Sequence, residues 1–322
     1  FHDDQHGTAI VVGAAATNAM HVSGKRFDRI KVVSTGGGAA GIACLEMLVK
    51  LGVRRENVWL CDLEGLVYHG RTAQMTPQKA NFAQGSSPAT LDDVIAGADL
   101  FLGLSGPGVL TPAMVAKMAP APIVFALANP TPEILPDEVR SVAPDAIIAT
   151  GRSDFPNQVN NVLCFPFIFR GALDVGATTI NKQMELACIE GIAALARATT
   201  SAEAAAAYRG EKLTFGADYL IPKPFDPRLI GVVASAVARA AMETGVATRP
   251  IADLDAYREK LNGSVFKSAL IMRPVFEAAR QATRKIIFAE GEDERVLRAA
   301  NAMLEEMTDR PILIGRPEVI AR

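Results

Sequence analysis

The sequence is poor in the residues that mark several protein classes. Its 33 Lys and Arg nearly balance 35 Asp and Glu, leaving a net charge of −2. Such a balance gives no basic footprint for nucleic acid and no polybasic stripe for a membrane surface. Only four cysteines occur, Cys44, Cys61, Cys164 and Cys188, and no two share a C-x-x-C spacing. This excludes a zinc-ribbon pattern and a disulfide framework. Each lies in an apolar run, where a free cysteine behaves as a small hydrophobe, and a reducing, cytoplasmic compartment is expected. No charged segment followed by an apolar core opens the chain, and no apolar run is long enough to cross a bilayer. What is plentiful is aliphatic side chain. With 322 residues, 49% hydrophobic, the chain can bury a core and is expected to form two domains, or one large α/β domain with an appendage. It opens at Phe1 in mid-pattern, which predicts a piece of a longer protein.

Short β-branched runs recur through the first half: Arg29–Ser34, Val58–Asp62, Asp99–Ser105, Ile123–Asn129 and Ala146–Thr150. They are almost continuously apolar, as strands covered on both faces of a parallel sheet should be. Helical stretches such as Ala40–Leu51 and Leu91–Ala98 lie between them. The alternation predicts an α/β fold with a doubly wound parallel sheet. An alanine-rich helix is expected over Gly7–His21, and one or two long helices over Ala172–Thr199. The proline-rich Phe215–Arg228 reads as irregular, and Leu229–Thr244 as a further helix. Beyond the break at Arg249-Pro250, Leu254–Leu261 reads as a charged helix and Asn262-Gly263-Ser264 as a turn. New strands are expected at Arg284–Ala289 and Pro311–Gly315. The expected division is a domain over 1–250, a helical linker over 251–283 and the start of a second α/β domain over 284–322.

The strongest local signal is Gly36-Gly37-Gly38-Ala39-Ala40-Gly41, directly after an expected strand and opening an expected helix. The G-x-G-x-x-G spacing gives a tight turn, a close backbone approach to a pyrophosphate and close packing of the helix. The phosphates would meet free N–H groups at the positive end of the helix. Asp62 ends the next strand about 20 residues on, where a ribose-binding acid belongs in a Rossmann-type NAD(P)-binding domain. A carboxylate there favours NAD, whereas Lys79, and with less support Arg71, could offset its charge beside a 2′-phosphate. The blander reading of Lys79 is a solvated surface lysine.

Asp3 and Asp4, ahead of the first helix, read either as an N-cap with a dipole partner or as oxygen donors for Mg2+ or Mn2+. Two carboxylates cannot complete such a site, so others must come from elsewhere. Asn129 closes a strand on the carboxyl edge of the sheet, and Asn160 and Asn161 sit in a proline-flanked segment. Turn formation accounts for all three; convergence on one crevice, where amides orient a substrate, is the sharper alternative. Ser105–Thr111 (SGPGVLT) reads as another turn that admits a nucleotide. Oxidation of a hydroxyl needs a positioned base, yet none of His2, His6, His21 and His69 stands in such a setting.

Taken in series, FHDDQHGTA, STGGGAAGIA, DLEGLVYHGR, FALANPTPE and NQVNNVLCFPFIFRGAL resemble the nicotinamide-binding half of a malic enzyme over roughly Phe1–Pro250. The tail RKIIFAEGEDERVLRAA followed by PILIGRPEVI is similar to the opening of a phosphotransacetylase, a pairing found in bacterial hybrid malic enzymes. The resemblance implies oxidative decarboxylation of malate to pyruvate with NADP or NAD, NADP slightly favoured, and a divalent cation. It implies a metal ligand at Asp4, a lysine-orienting role for Asp3, and cofactor or substrate contacts at Asp62, Asn129 and Asn161. It also implies a homo-oligomer, and acetyl-CoA as an effector of the C-terminal domain. The family's catalytic tyrosine and lysine lie upstream of the Asp-Asp pair, so these residues alone are expected to be inactive. Two alternatives remain open from the sequence: a non-catalytic dinucleotide-binding or regulatory module, and another Rossmann-type dehydrogenase.

Overall fold

The computed structural model describes residues 1–198, 213–263, 286–297, 299–300 and 311–320. It divides into two compact units, Phe1–Asn262 and Gly263–Arg322.

The first unit is built on a six-stranded sheet of β1 (Val32–Thr35), β2 (Val58–Asp62), β3 (Gly65–Leu66), β4 (Leu100–Gly103), β5 (Ile123–Ala126) and β6 (Ile147–Thr150). The spatial order is β3-β2-β1-β4-β5-β6. All neighbours run parallel except β3, which turns back antiparallel on β2. The order in which the chain adds strands therefore reverses between β1 and β4, and such switch points open a crevice at the carboxyl ends of the strands.

Strand side chains alternate between faces, and both faces are covered. Val32, Leu100, Leu102, Ile123, Phe125, Ile147 and Ala149 join one core, and Val33, Phe101, Val124, Ala126 and Ile148 the other. The first core includes residues of α1 (Thr8–Ser23), α2 (Ala39–Lys50), α7 (Phe165–Asp174) and α8 (Lys182–Arg197). The second includes residues of α4 (Leu91–Val94), α5 (Pro112–Val115) and α6 (Pro136–Val142); the one-turn α3 (Pro77–Ala80) precedes them in the chain. These continuous apolar runs are what a doubly covered parallel sheet requires.

Helix α1 is buried nearly all round, and its one fully buried polar side chain is fully bonded. Asn18 donates to the carbonyls of Ala193 (2.9 Å) and Leu220 (2.6 Å) and accepts from Arg197 (2.8 Å). Several expected elements differ in extent. The helix expected over Leu91–Ala98 stops at Val94, because Gly97 turns into the left-handed region at φ 70°. The stretch Ala172–Thr199 is split: α7 begins upstream at Phe165, Gly176 (φ 59°) ends it, and Asn181 caps α8 through the Met184 N–H. Thr199 lies outside the described residues. Phe215–Arg228 is irregular, and Ile230–Ala234 and Ser235–Glu243 form the helix that follows. Residues 254–263 are helical, so Asn262 and Gly263 extend the helix where a turn is expected; Asn262 packs against Gly231.

In the second unit, β7 (Ile287–Phe288) pairs in parallel with β8 (Ile312–Leu313), and Arg316 binds Glu292 at 2.9 Å. Arg284 and Lys285 lie outside the described residues. No helix among those described is long and apolar enough to cross a membrane.

Candidate dinucleotide site

The chain leaves β1 through Gly36, which adopts φ 105°; a Cβ there would also overlap the Leu104 carbonyl of the neighbouring strand's exit. Only glycine meets both demands. Gly38 begins α2 in an extended conformation, has no side-chain cap, and faces open space. The first N–H groups of a twelve-residue helix are thus left for an anion. Gly41 packs against the Gly36 carbonyl, closing the loop on itself. Above these residues lies a crevice of about 550 Å³ lined by Thr35, Gly36, Gly37, Gly38, Asp62 and Ser105, among others. It sits at the β1–β4 switch point.

Asp62 does not stand alone at the end of β2. Arg71 holds both its oxygens at 2.7 Å, and Lys79 Nζ reaches Oδ2 at 2.7 Å. The Glu64 N–H adds a fourth contact, to Oδ1 at 3.0 Å. Burial alone pushes the Asp62 carboxyl up, but the bonds from Lys79 and Arg71 outweigh it and hold the group below its ordinary range. Lys79 is 8% exposed and lies against Gly37, where a Cβ would meet its Cε at 2.6 Å. The solvated-lysine reading is therefore corrected: the Thr76-capped turn of α3 folds Lys79 inward over the glycine loop. Arg71, given little weight from the sequence, is 7% exposed and also donates to the carbonyls of Gly65, Leu66 and Ala73. Its signal was an arginine nine residues after the acid, across the short β2–β3 return, which linear spacing does not reveal as a contact.

A second cluster forms at the start of the chain. Asp3–Gly7 is a single wide turn leading into α1, and neither Asp3 nor Asp4 makes a side-chain capping bond. The N-cap half of that reading thus fails, because this turn already carries the chain into helical geometry, while both carboxylates do lie in the first turn, where a dipole partner belongs. Asn161, 158 residues on in the chain, meets Asp3 directly, its Nδ2 donating to the Asp3 carbonyl (3.2 Å) and to Oδ2 (3.3 Å). Thr8 Oγ1 donates to Asn161 Oδ1 at 3.1 Å. Asp3 Oδ1 is buried without a hydrogen-bond partner among the described residues, and a Cβ at Gly7 would collide with it. Burial, with the nearby Asp4 charge, raises the Asp3 carboxyl above its ordinary value despite the bond from Asn161. Asp4 is exposed. No group of three His, Cys, Asp or Glu among the described residues could hold a metal. An unpartnered carboxylate oxygen beside an exposed carboxylate nonetheless fits part of the oxygen donor set that a hard cation takes.

The asparagines separate. Asn129 is exposed just past β5, at a cis bond to Pro130, and its amide makes no hydrogen bond among the described residues. Asn160 caps its own short turn, accepting from the Val162 N–H at 3.0 Å. His6 accepts from the His2 N–H at 2.8 Å, a local structural role. The sequence reading missed Glu133, a wholly buried carboxylate behind Ser105.

The reversed strand order, the glycine loop under a free helix end and the crevice they frame define a Rossmann-type dinucleotide-binding domain. Comparison with known proteins narrows this. The family model for the malic enzyme NAD binding domain matches residues 5–208, and one for phosphate acetyl/butaryl transferases matches residues 270–322. The chain belongs to the malic enzyme family. An NAD-dependent malic enzyme of Rhizobium meliloti is 61% identical over 99% of this chain and 42% of its own length. An NADP-dependent malic enzyme of Escherichia coli is 56% identical over the same shares. The crystal structure of malic enzyme from Pyrococcus horikoshii is 35% identical and superposes with a TM-score of 0.74, covering 85% of this chain and 62% of that one. The chain thus spans less than half the length of these two curated relatives.

Proposed function

We propose that this chain supplies the NAD(P)-binding half of a malic enzyme that oxidises malate and releases CO2 to give pyruvate, in the cytoplasm. The observation that carries the reading is the switch-point crevice with its glycine loop, joined in one domain to an Asp3–Asp4 pair braced by Asn161. The free N–H groups of Ala39, Ala40 and Gly41 bind the pyrophosphate. Asp4 holds a Mg2+ or Mn2+ ion together with carboxylates from upstream of the Asp-Asp pair, and Asp3 orients a catalytic lysine. The bound cation supplies Lewis-acid polarisation of the substrate oxygen. Asn129 and Asn161 orient substrate and nicotinamide, and Asn160 is a further substrate contact in this reading.

NADP is the preferred cofactor in this reading. A carboxylate offers about four lone-pair sites, and Arg71, Lys79 and Glu64 place four donor contacts on Asp62. None is left to accept from a ribose 2′-hydroxyl. Two cations against one carboxylate leave a local surplus of positive charge, which suits a 2′-phosphate. We further propose the division 1–250, 251–283 and 284–322, a homo-oligomer, and acetyl-CoA as an effector acting through the transferase-like tail.

The test places this sequence in the corresponding segment of the Rhizobium meliloti relative. The chimera is expected to form NAD(P)H from malate with added Mn2+, and Asp4→Ala to abolish that activity while dinucleotide binding persists. Metal-dependent turnover that survives Asp4→Ala would remove the metal assignment.

A further inference from the structure

Glu133 is 0% exposed, and among the described residues no Lys or Arg pairs with it. Burying a carboxylate without a countercharge is costly unless donors replace water. Three donor groups do so. The Ser105 N–H reaches Oε1 at 2.8 Å and the Ala128 N–H reaches Oε2 at 3.0 Å. Ser105 Oγ bridges onward, 3.3 Å from Oε1 and 2.9 Å from Thr35 Oγ1. The Glu133 carbonyl accepts from Leu110, the residue that closes the Ser105–Val109 turn, at 3.2 Å. The carboxylate fits only because residue 103 is glycine: a Cβ there would collide with it.

This one side chain therefore ties together the ends of β1 (Thr35), β4 (Ser105) and β5 (Ala128), all on the carboxyl edge of the sheet. Thr35 and Ser105 line the crevice, and Ala128 directly precedes Asn129. Asp62, the adenosine-side acid, lies on the other flank of β1. A dinucleotide laid across the switch point with its adenosine ribose near β2 must place its second nucleotide toward β4 and β5.

We propose that Glu133 is a positioning residue for the nicotinamide half of the cofactor, holding the Ser105–Val109 turn and the Asn129 turn in register. The inference rests on the dinucleotide reading above. An acceptor-only group is required, because every partner of the carboxylate is a donor. Glutamine has the same shape but turns an NH2 group toward one of those N–H donors, so it cannot satisfy both.

The test uses the 322-residue chain, titrated calorimetrically with NADP, NAD and adenosine 2′,5′-bisphosphate. Glu133→Gln is expected to weaken whole-dinucleotide binding about tenfold, the equivalent of one lost hydrogen bond with its unpaired donor. The adenosine fragment, which ends short of β4, should bind as before. Equal weakening of fragment and dinucleotide, or no weakening of either, overturns the inference. If Glu133→Gln does not fold, Ser105→Ala carries the same comparison, with a smaller loss confined to the dinucleotide. An unsubstituted chain that binds the fragment and the dinucleotide equally tightly refutes the positioning role alone. One that binds neither refutes the dinucleotide reading and this inference with it.

Discussion

Arg71 and Lys79 both grip Asp62, but the structure gives them different work, and paired substitutions separate the two. The Arg71 side chain is 2% exposed and makes its two Asp62 bonds at 2.7 Å, besides bonding three carbonyls. Arg71→Met strips a buried carboxylate of its main partner and leaves those carbonyls unpaired. Breaking a buried pair on one side costs about 3–5 kcal/mol. Lys79 remains in place, so the lower end applies, and about 3 kcal/mol corresponds to a fall of roughly 6–12 °C in Tm for a domain of this size. Lys79→Met removes one bond to Asp62 and one to the Gln74 carbonyl, at 2.7 and 2.9 Å, while the bidentate Arg71 clamp persists. With Arg71 still in place the low end of a charged hydrogen bond applies, about 1.5 kcal/mol, or roughly 3–6 °C. The Lys79 ammonium has a third proton with no partner among the described residues. A charged hydrogen bond from it to a 2′-phosphate is worth about 1.5–3 kcal/mol, or about ten- to a hundredfold in affinity. Thermal denaturation followed by circular dichroism, with calorimetric titration of NADP and NAD, measures both quantities. Arg71→Met should be mainly a stability variant and Lys79→Met mainly a selectivity variant. Equal losses in Tm, or a Lys79→Met variant whose NADP-to-NAD ratio is unchanged, would refute the reasoning.

Asp3→Asn should stabilise the chain at neutral pH. The folded state raises the Asp3 pKa above 3.8, so it binds the proton more tightly than the unfolded chain does, and stability is lost as pH rises through the shifted value. The gain in Tm over the unsubstituted chain should disappear below the ordinary carboxylate pKa; a variant less stable than the original at neutral pH would contradict the assignment. Asp62 has the opposite sign: its lowered pKa contributes stability above the ordinary value that is lost as pH falls through the folded one. Asp62→Asn should therefore flatten the acid limb of a Tm–pH curve. Gly36→Ala forces a Cβ into the Leu104 carbonyl at φ 105°, a strain of about 1–3 kcal/mol before the overlap is counted; NADP binding measured by titration should be lost along with that stability.

Much of the site is legible in the chain order, and the reason is that glycine loops and strand ends are local. Gly36 to Gly41 lie between a strand and a helix that the hydrophobic pattern already marks, and Asp62 ends the next strand. The Asp3–Asp4 pair and Asn161 appear in the sequence as separate turns more than 150 residues apart, and nothing local states that Asn161 braces Asp3. Element ends were less legible. Gly97 and Gly176 in the left-handed region stop helices that apolar spacing would continue, since periodicity records which face is buried rather than where the backbone turns.

Burial is the quantity that the linear order hides. By itself the sequence determined the alternating α/β architecture, because apolar runs alternating with helical stretches fit a parallel sheet covered on both faces, and it determined the glycine loop, whose turn at Gly36 only glycine accepts. Only the tertiary structure decided what surrounds the acid at the end of β2. Lys79 became a buried partner, Arg71 became a clamp, and Glu133 became the tie between three strand ends. Each of these depends on which side chains lose water together, and that is fixed by how the sheet and its returning loops pack rather than by the spacing of residues along the chain.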